Sequence, residues 1–159
     1  MMAHEVTQRC AYSTPRLVVG DWHRIAQRYE LDLVDVVRNT LTPATTAALP
    51  PEWQGDFDDE RARRWVEARD AESPTLLVIA SDDFRSVGLL ILFESPGSPQ
   101  PDRIDVRLGY VIAESEWGKG LASELVRGLV DWASSEPSIR SISGGVARDN
   151  EASARVLLS

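Results

Sequence analysis

The sequence predicts an α/β (α+β) domain: a mixed, mostly antiparallel central sheet flanked by helices. Two observations carry this reading. Three apolar segments rich in β-branched residues follow one another between residues 75 and 112, which favours antiparallel neighbours. A strand, an amphipathic helix and another strand then occupy 104–146, an order that favours a parallel crossover. At 159 residues the chain is long enough to bury one core.

The elements follow in order. Residues 1–13 read as a flexible leader, and residues 14–159 as a single domain. Pro15 to Gly20 is a short first strand. From Trp22 to about Asn39, Ile25, Tyr29, Leu33, Val36 and Val37 fall at helical spacing. Residues 41–51 form a loop region with room for one short helix. Asp56 to Glu60 is acidic and leads into a stretch carrying Arg61, Arg63, Arg64 and Arg69; this order suits a helix start and its dipole.

Thr75–Ser81 and Ser86–Phe93 read as a hairpin around the polar turn Asp82–Arg85. Three prolines and a glycine make 94–103 a loop, after which Ile104–Ile112 is the next strand. From Gly120 to about Ser134, Leu121, Leu125, Leu129 and Trp132 form one stripe flanked by Ala122, Val126, Val130 and Ala133, a helix with a broad buried face. Ser138–Val146 is a strand with Gly144 and Gly145 marking a bulge or close approach. Residues 150–158 read as a last helix with Asn150 near its cap.

Composition narrows the function. Lys plus Arg total 17 against 25 Asp plus Glu, a formal net charge of −8, which argues against non-specific binding to nucleic acid. The same balance suits a cationic or amine-bearing partner, or serves solubility alone. Cys10 is the sole cysteine, so no internal disulfide forms and a reducing compartment is expected. No apolar run approaches a membrane span, and the first residues lack a basic start and apolar middle. A cytoplasmic protein without membrane contact is the expectation. No metal-ligand spacing occurs.

The most informative stretch is Arg107 to Val126, where an apolar strand enters a glycine-bearing turn that opens directly into a helix. Such an order collects free backbone N–H groups at a positively polarised helix start, which suits a phosphate. Glycine at 118 and 120 lets the backbone reach positive φ and approach a ligand, and Ala122 is small enough to keep that approach open. Lys119 could add a point charge. A loop that uses glycine only for turning is the alternative.

Three stretches together resemble the GNAT superfamily of acyl-CoA-dependent N-acyltransferases, and particularly its branch of ribosomal-protein N-terminal acetyltransferases. They are Gly109-Tyr110 at a strand end, Trp117-Gly118-Lys119-Gly120 followed by Ala122 and Glu124, and Asn150 with Ser153. The opening Pro15-Arg16-Leu17 also fits. The resemblance spans roughly residues 14–159.

It implies acetyl transfer from acetyl-CoA, as co-substrate, to a primary amine on a protein N-terminus or a small molecule. By resemblance the pyrophosphate rests on the amides of Gly118, Lys119, Gly120, Leu121, Ala122 and Ser123. The pantetheine arm pairs with backbone near Tyr110, Val111 and Ile112, and Asn150 anchors the arm or the strand beside it. Ser153 is the implied donor to the departing thiolate, a local backbone bond being its alternative use. Relatives often carry a glutamate where Arg107 stands, and arginine accepts no proton at neutral pH. A bound water, Asp105 or another acid would then serve as base, although Asp105 could instead pair with Arg107 on the same strand face. Tyr110 is expected to pack, and Trp22 and Trp53 either pack or line an acceptor cleft.

The resemblance also implies a C-terminally truncated domain lacking its usual last two strands. The strand at 138–146 would then expose an edge, to be paired with another chain in a homodimer, covered by the leader, or frayed. A non-catalytic acyl-CoA-binding or protein-interaction module on the same fold is the second reading. An unrelated α/β nucleotide binder is the third, though no complete phosphate-loop or dinucleotide fingerprint occurs.

Overall fold

The computed structural model describes residues 3–95, 102–145 and 153–157, with side-chain detail for 6–94, 102–144. The apolar run at Thr75–Ala80 becomes β3, every residue of which is buried. A strand buried on both faces needs cover on both, and the helices supply it. Leu76, Val78 and Ala80 point into one cluster with Leu90, Leu92, Val106, Leu121, Leu125 and Leu129. Leu77 and Ile79 point into a second with Trp22, Val37, Trp65, Leu89 and Ile91. The molecule is therefore three layers, with the sheet in the middle.

The sheet has seven strands in sequence order: β1 (Tyr12–Ser13), β2 (Leu17–Asp21), β3, β4 (Ser86–Ser95), β5 (Ile104–Ile112), β6 (Ile139–Gly145) and β7 (Ser153–Leu157). All neighbours are antiparallel except β5 and β6, which are parallel. The expected hairpin, the antiparallel run and the crossover through α5 (Leu121–Ser134) are all present.

On one face lie α1 (Ala3–Gln8) and α5; on the other lie α2 (Trp22–Tyr29), α3 (Leu33–Thr40) and α4 (Asp59–Glu72). Leu125 and Leu129 are fully buried on the sheet-facing stripe of α5. Burying a leucine contributes roughly 1.5–3 kcal/mol. Leu125→Ala is thus the kind of single change, at about 2–5 kcal/mol, that loosens this helix.

Several expectations need correction. The single helix over 22–39 is two, because Glu30 turns left-handed at φ 57° and Asp32 starts α3 by accepting from the Val34 amide. The leader is packed: α1 and β1 occupy it, and Val6 and Cys10 are buried. Burial pushes the Cys10 thiol well above its usual pKa, which leaves it no thiolate character. The last helix is not formed over 153–157. Those residues are β7, pairing antiparallel with β6 from Ser141↔Leu157 to Gly145↔Ser153. The free ladder of β6 outweighs helical periodicity here, because an unpaired edge leaves its amides and carbonyls unsatisfied. The β6 edge, expected to pair with another chain, be covered by the leader or fray, is instead paired with β7 of the same chain.

No helix among the described residues is long and apolar enough to cross a membrane.

Candidate functional site

Parallel pairing of β5 with β6 runs from Ile104↔Ile139 to Leu108↔Gly144 and goes no further. Beyond that point β5 continues through Gly109, Tyr110, Val111 and Ile112, paired only with β4. The two parallel strands part there, and one edge of β5 lacks a strand partner among the described residues. An extended chain can add to such an edge by main-chain hydrogen bonds. This is the backbone on which the family resemblance implies a pantetheine arm. Tyr110 is half-buried and packs towards α5, as expected.

The chain leaves β5 through a 3-10 turn at Glu114–Glu116, passes Trp117, and enters α5 behind Gly120. Gly118 and Gly120 both sit at φ 78°, the left-handed region open to glycine. Gly120 is the N-cap of α5 and supplies no capping side chain. The amides from Gly118 to Ser123 find no acceptor among the described residues, and the first return bond of the helix is Glu124 N to Gly120 O at 3.2 Å. The space before them is open: a Cβ at 118 would meet nothing within 4 Å, and one at 120 only Arg16 Nη2 at 3.7 Å. Donors of this kind at the positive end of a 14-residue helix suit an anion, and they are oriented beforehand, so the turn is a candidate anion cradle.

Two carboxylates stand beside this cradle and would repel an anion, yet each is neutralised. Glu116 is 5% exposed and receives Arg85 Nε at 2.8 Å, Arg85 Nη2 at 3.0 Å and Lys119 Nζ at 3.0 Å. The Arg85 hydrogen bonds outweigh burial and hold the Glu116 carboxyl down at about 2. Glu124 accepts from Thr14 Oγ1 at 2.5 Å, the Arg16 amide at 2.9 Å and Arg16 Nε at 2.7 Å. Burial raises that carboxyl, but the Thr14 and Arg16 bonds together hold it below its usual value. Arg16 also donates to the Lys119 carbonyl at 2.9 Å, and the Trp117 indole donates to the Ile112 carbonyl at 2.9 Å. The turn is thereby tied to β2, to the β3–β4 hairpin and to the end of β5.

These ties were only partly legible in the sequence. Lys119 is held by Glu116 rather than standing as an isolated charge. Arg85, read as a turn residue, is the main partner of Glu116, and nothing local in the sequence links positions 31 apart. Arg16 and Glu124 are part of the family resemblance, which implies no role for either; their ion pair at 2.7 Å supplies one.

Asp105 pairs differently from expectation. It accepts from Arg140 Nη2 at 2.7 Å and from Ser141 Oγ at 2.6 Å, both on β6, and not from Arg107. A bulge between Ile104 and Asp105 in the β5–β6 register brings Arg140 within reach. Asp105 thus fastens the strands just before they part. Ser153 lies on β7 opposite Gly145, one position beyond the last β5–β6 pair, instead of on a helix. Asn150 lies outside the described residues. Trp22 is 1% exposed and sits edge-on to Trp65, as does Trp53, so both serve packing.

A groove of about 1500 Å³ opens elsewhere. Its lining runs from β1 and the end of β2 to the start of β3 and the end of β4, and takes nothing from the turn at 117–123. It lies at the opposite ends of the strands, and volume alone does not make it the reaction centre. Among the described residues no group of three His, Cys, Asp or Glu side chains could hold a metal ion.

Comparison with known proteins agrees with this architecture. Residues 26–159 match the family model of the acetyltransferase (GNAT) domain. An acetyltransferase of the GNAT family from Bacillus anthracis superposes with a TM-score of 0.62 at 15% identity, over 86% of this chain and 74% of that one. The acetyltransferase from Agrobacterium tumefaciens str. C58 gives 0.57 at 18%, over 89% and 77%. RimL, a ribosomal L7/L12 α-N-protein acetyltransferase solved in complex with coenzyme A, gives 0.57 at 17%, over 86% and 73%. At such identities the likeness is one of fold. No curated protein matches the sequence.

Proposed function

The chain belongs to the GNAT acetyltransferase family, and from that premise we propose that it transfers an acetyl group from acetyl-CoA to a primary amine by direct attack. The observation that carries the proposal is the row of amides from Gly118 to Ser123 at the start of α5, unpartnered among the described residues and with open space before it. A pyrophosphate satisfies those donors at little reorganisation cost. The pantetheine amides take up the free edge of β5 between Gly109 and Ile112, which directs the thioester towards the point where β5 and β6 part.

Attack by a neutral amine needs the amine proton removed and the departing thiolate supplied with one. We assign the second task to Ser153, in agreement with the resemblance. Its place on β7 is about two strand spacings, roughly 10 Å, from β5. Asp105 is less suited to the first task, since an arginine and a hydroxyl already occupy both its oxygens. A water bound near the parting strands fits that role better.

The acceptor is a small amine or a protein N-terminus; RimL, a ribosomal-protein α-N-acetyltransferase, shares the fold at 17% identity and is an example of the second kind. Calorimetry with acetyl-CoA, followed by thiol release across a panel of amines, tests the proposal. Micromolar binding with turnover of at least one amine supports it. Absence of binding removes it, and binding without turnover reduces the protein to an acyl-CoA-binding module.

A further inference from the structure

We infer that Arg107 selects the acceptor, and that the acceptor is an amine carrying a carboxylate; this rests on the acetyltransferase reading above. The argument begins with approach. On one face of the parting strands Leu121, Leu125 and Leu129 of α5 pack onto Val106 and Ile112, so that face is closed. An acceptor must come from the other face, which Asp105, Arg107, Gly109 and Val111 share by strand alternation. Val111 and Phe93 lie at the margin of the cluster covered by α2, α3 and α4. Asp105 is buried against β6. The positions left open on that face of β5 are Gly109, where a Cβ would come no closer than 3.9 Å to Phe93, and Arg107 beside it.

The cations of this region differ in what holds them. Arg140 is spent on Asp105, and Arg103 donates to the Pro137 and Ile139 carbonyls. The Arg107 residue is exposed, and its side chain makes no ion pair or hydrogen bond among the described residues. It sits one residue before the last β5–β6 pair, Leu108↔Gly144, and directly across from Phe93 on β4 and Ser143 on β6. A guanidinium in this place presents a fork that matches a carboxylate in two parallel hydrogen bonds. An acceptor gripped there lies with its amine over Gly109, at the point to which the free edge of β5 leads. Phe93 offers an apolar flank for the carbon skeleton between the two groups.

The test uses matched acceptors that differ only in charge. Free α- and ω-amino acids are compared with their carboxamides, and tripeptides beginning Asp or Glu with those beginning Asn or Gln. The two sets separate a small aminocarboxylate from an acidic protein N-terminus. Thiol release is measured for the wild type, Arg107→Gln and Arg107→Lys. In one of the two sets the wild type should favour the carboxylate at least tenfold in kcat/KM, mainly through KM. Arg107→Gln should bring that ratio close to one, and Arg107→Lys should restore part of it. Affinity for coenzyme A, read by calorimetry, should stay within twofold in both variants.

The inference is overturned if the wild type accepts amides as well as carboxylates in both sets, or if Arg107→Gln keeps the preference. A loss of coenzyme A affinity in place of an acceptor effect overturns it too, by assigning Arg107 to the cofactor. Should no amine turn over, the same pairs are titrated into coenzyme A-loaded protein. A carboxylate preference dependent on Arg107 then upholds this inference while the transferase reading falls, and no preference ends both.

Discussion

The Arg85 guanidinium, on the β3–β4 hairpin, grips the buried Glu116 carboxylate through Nε at 2.8 Å and Nη2 at 3.0 Å. Glu116 lies on the 3-10 turn just before the anion cradle, so a hairpin at one place fixes a loop at another. The fork-to-fork geometry fixes direction as well as distance. Without Arg85, a carboxylate would stand next to the proposed phosphate site with only Lys119 to offset it.

Arg85→Ala should therefore weaken acetyl-CoA binding about tenfold, close to 1.4 kcal/mol. Turnover at saturation should change much less, because the clamp positions the loop and touches no reacting atom. Titration calorimetry on the variant checks the first part and saturation kinetics the second. An affinity within twofold of the wild type would detach the clamp from the site.

Acid should loosen the same clamp. The folded Glu116 carboxyl, at about 2, lies below its ordinary value of 4.5. Its contribution is complete above the ordinary value and is lost as pH falls through the window between the two. Because Arg85 is partly exposed, that contribution is about 1–2 kcal/mol. Urea midpoints at pH 6 and pH 3 should fall further apart for the wild type than for Glu116→Gln. Equal slopes for the two proteins would show that the carboxylate is not the group responsible.

Gly120→Val should reduce coenzyme A affinity by a factor of ten or more while the fold persists. Space is not the obstacle, since the nearest atom to a Cβ is Arg16 Nη2 at 3.7 Å. The obstacle is φ 78°, which a β-branched residue occupies at a cost of roughly 1–3 kcal/mol. The turn relaxes to relieve that strain and the amides lose their common aim. Far-ultraviolet circular dichroism alongside calorimetry separates a local effect from unfolding.

Gly128→Ala sets two effects against each other. Alanine favours the interior of α5 by about 1 kcal/mol. A Cβ there, however, would lie 2.5 Å from Tyr12 Cε2 and 2.9 Å from Thr14 Cγ2. Tyr12 cannot swing aside freely, because its hydroxyl donates to the Leu125 carbonyl at 2.7 Å. Overpacking of about 1–3 kcal/mol should win, lowering the thermal midpoint by several degrees. Adding Tyr12→Ala should recover part of the loss specific to Gly128→Ala, which a double-mutant cycle reads directly.

Asp105 and Ser153 should separate by what they damage. Asp105→Ala strands the Arg140 guanidinium, whose Nε is already buried without a partner, and should cost about 3 kcal/mol of stability. Ser153→Ala should lower turnover several-fold while cofactor affinity holds. Denaturant melts and initial rates on both variants check this. A stable Asp105→Ala with a lost acidic limb in its pH profile would restore Asp105 as the base.

Much of the fold could be read from local pattern. The unbroken apolar run at Thr75–Ala80, the β-branched stretch at Ile104–Ile112 and the stripe Leu121, Leu125, Leu129 are signals of burial that no partner is needed to interpret. The glycine turn was equally readable, since left-handed φ and open amides depend on residues 118–120 themselves. The break at Glu30 was obscured because apolar spacing carries on across it, whereas the cap depends on the side-chain conformation of Asp32.

By itself, then, the sequence determined the antiparallel run of strands between 75 and 112, the crossover through α5 with its glycine turn, and the family likeness, each being set by residues adjacent in the chain. The tertiary structure alone decided which charges meet. Arg85 reaches Glu116, Arg16 reaches Glu124, and Asp105 takes Arg140 in preference to Arg107. It also decided that residues 153–157 extend the sheet. Ion pairing and edge pairing are interactions at a distance along the chain, governed by register and burial, and a local pattern holds no record of either.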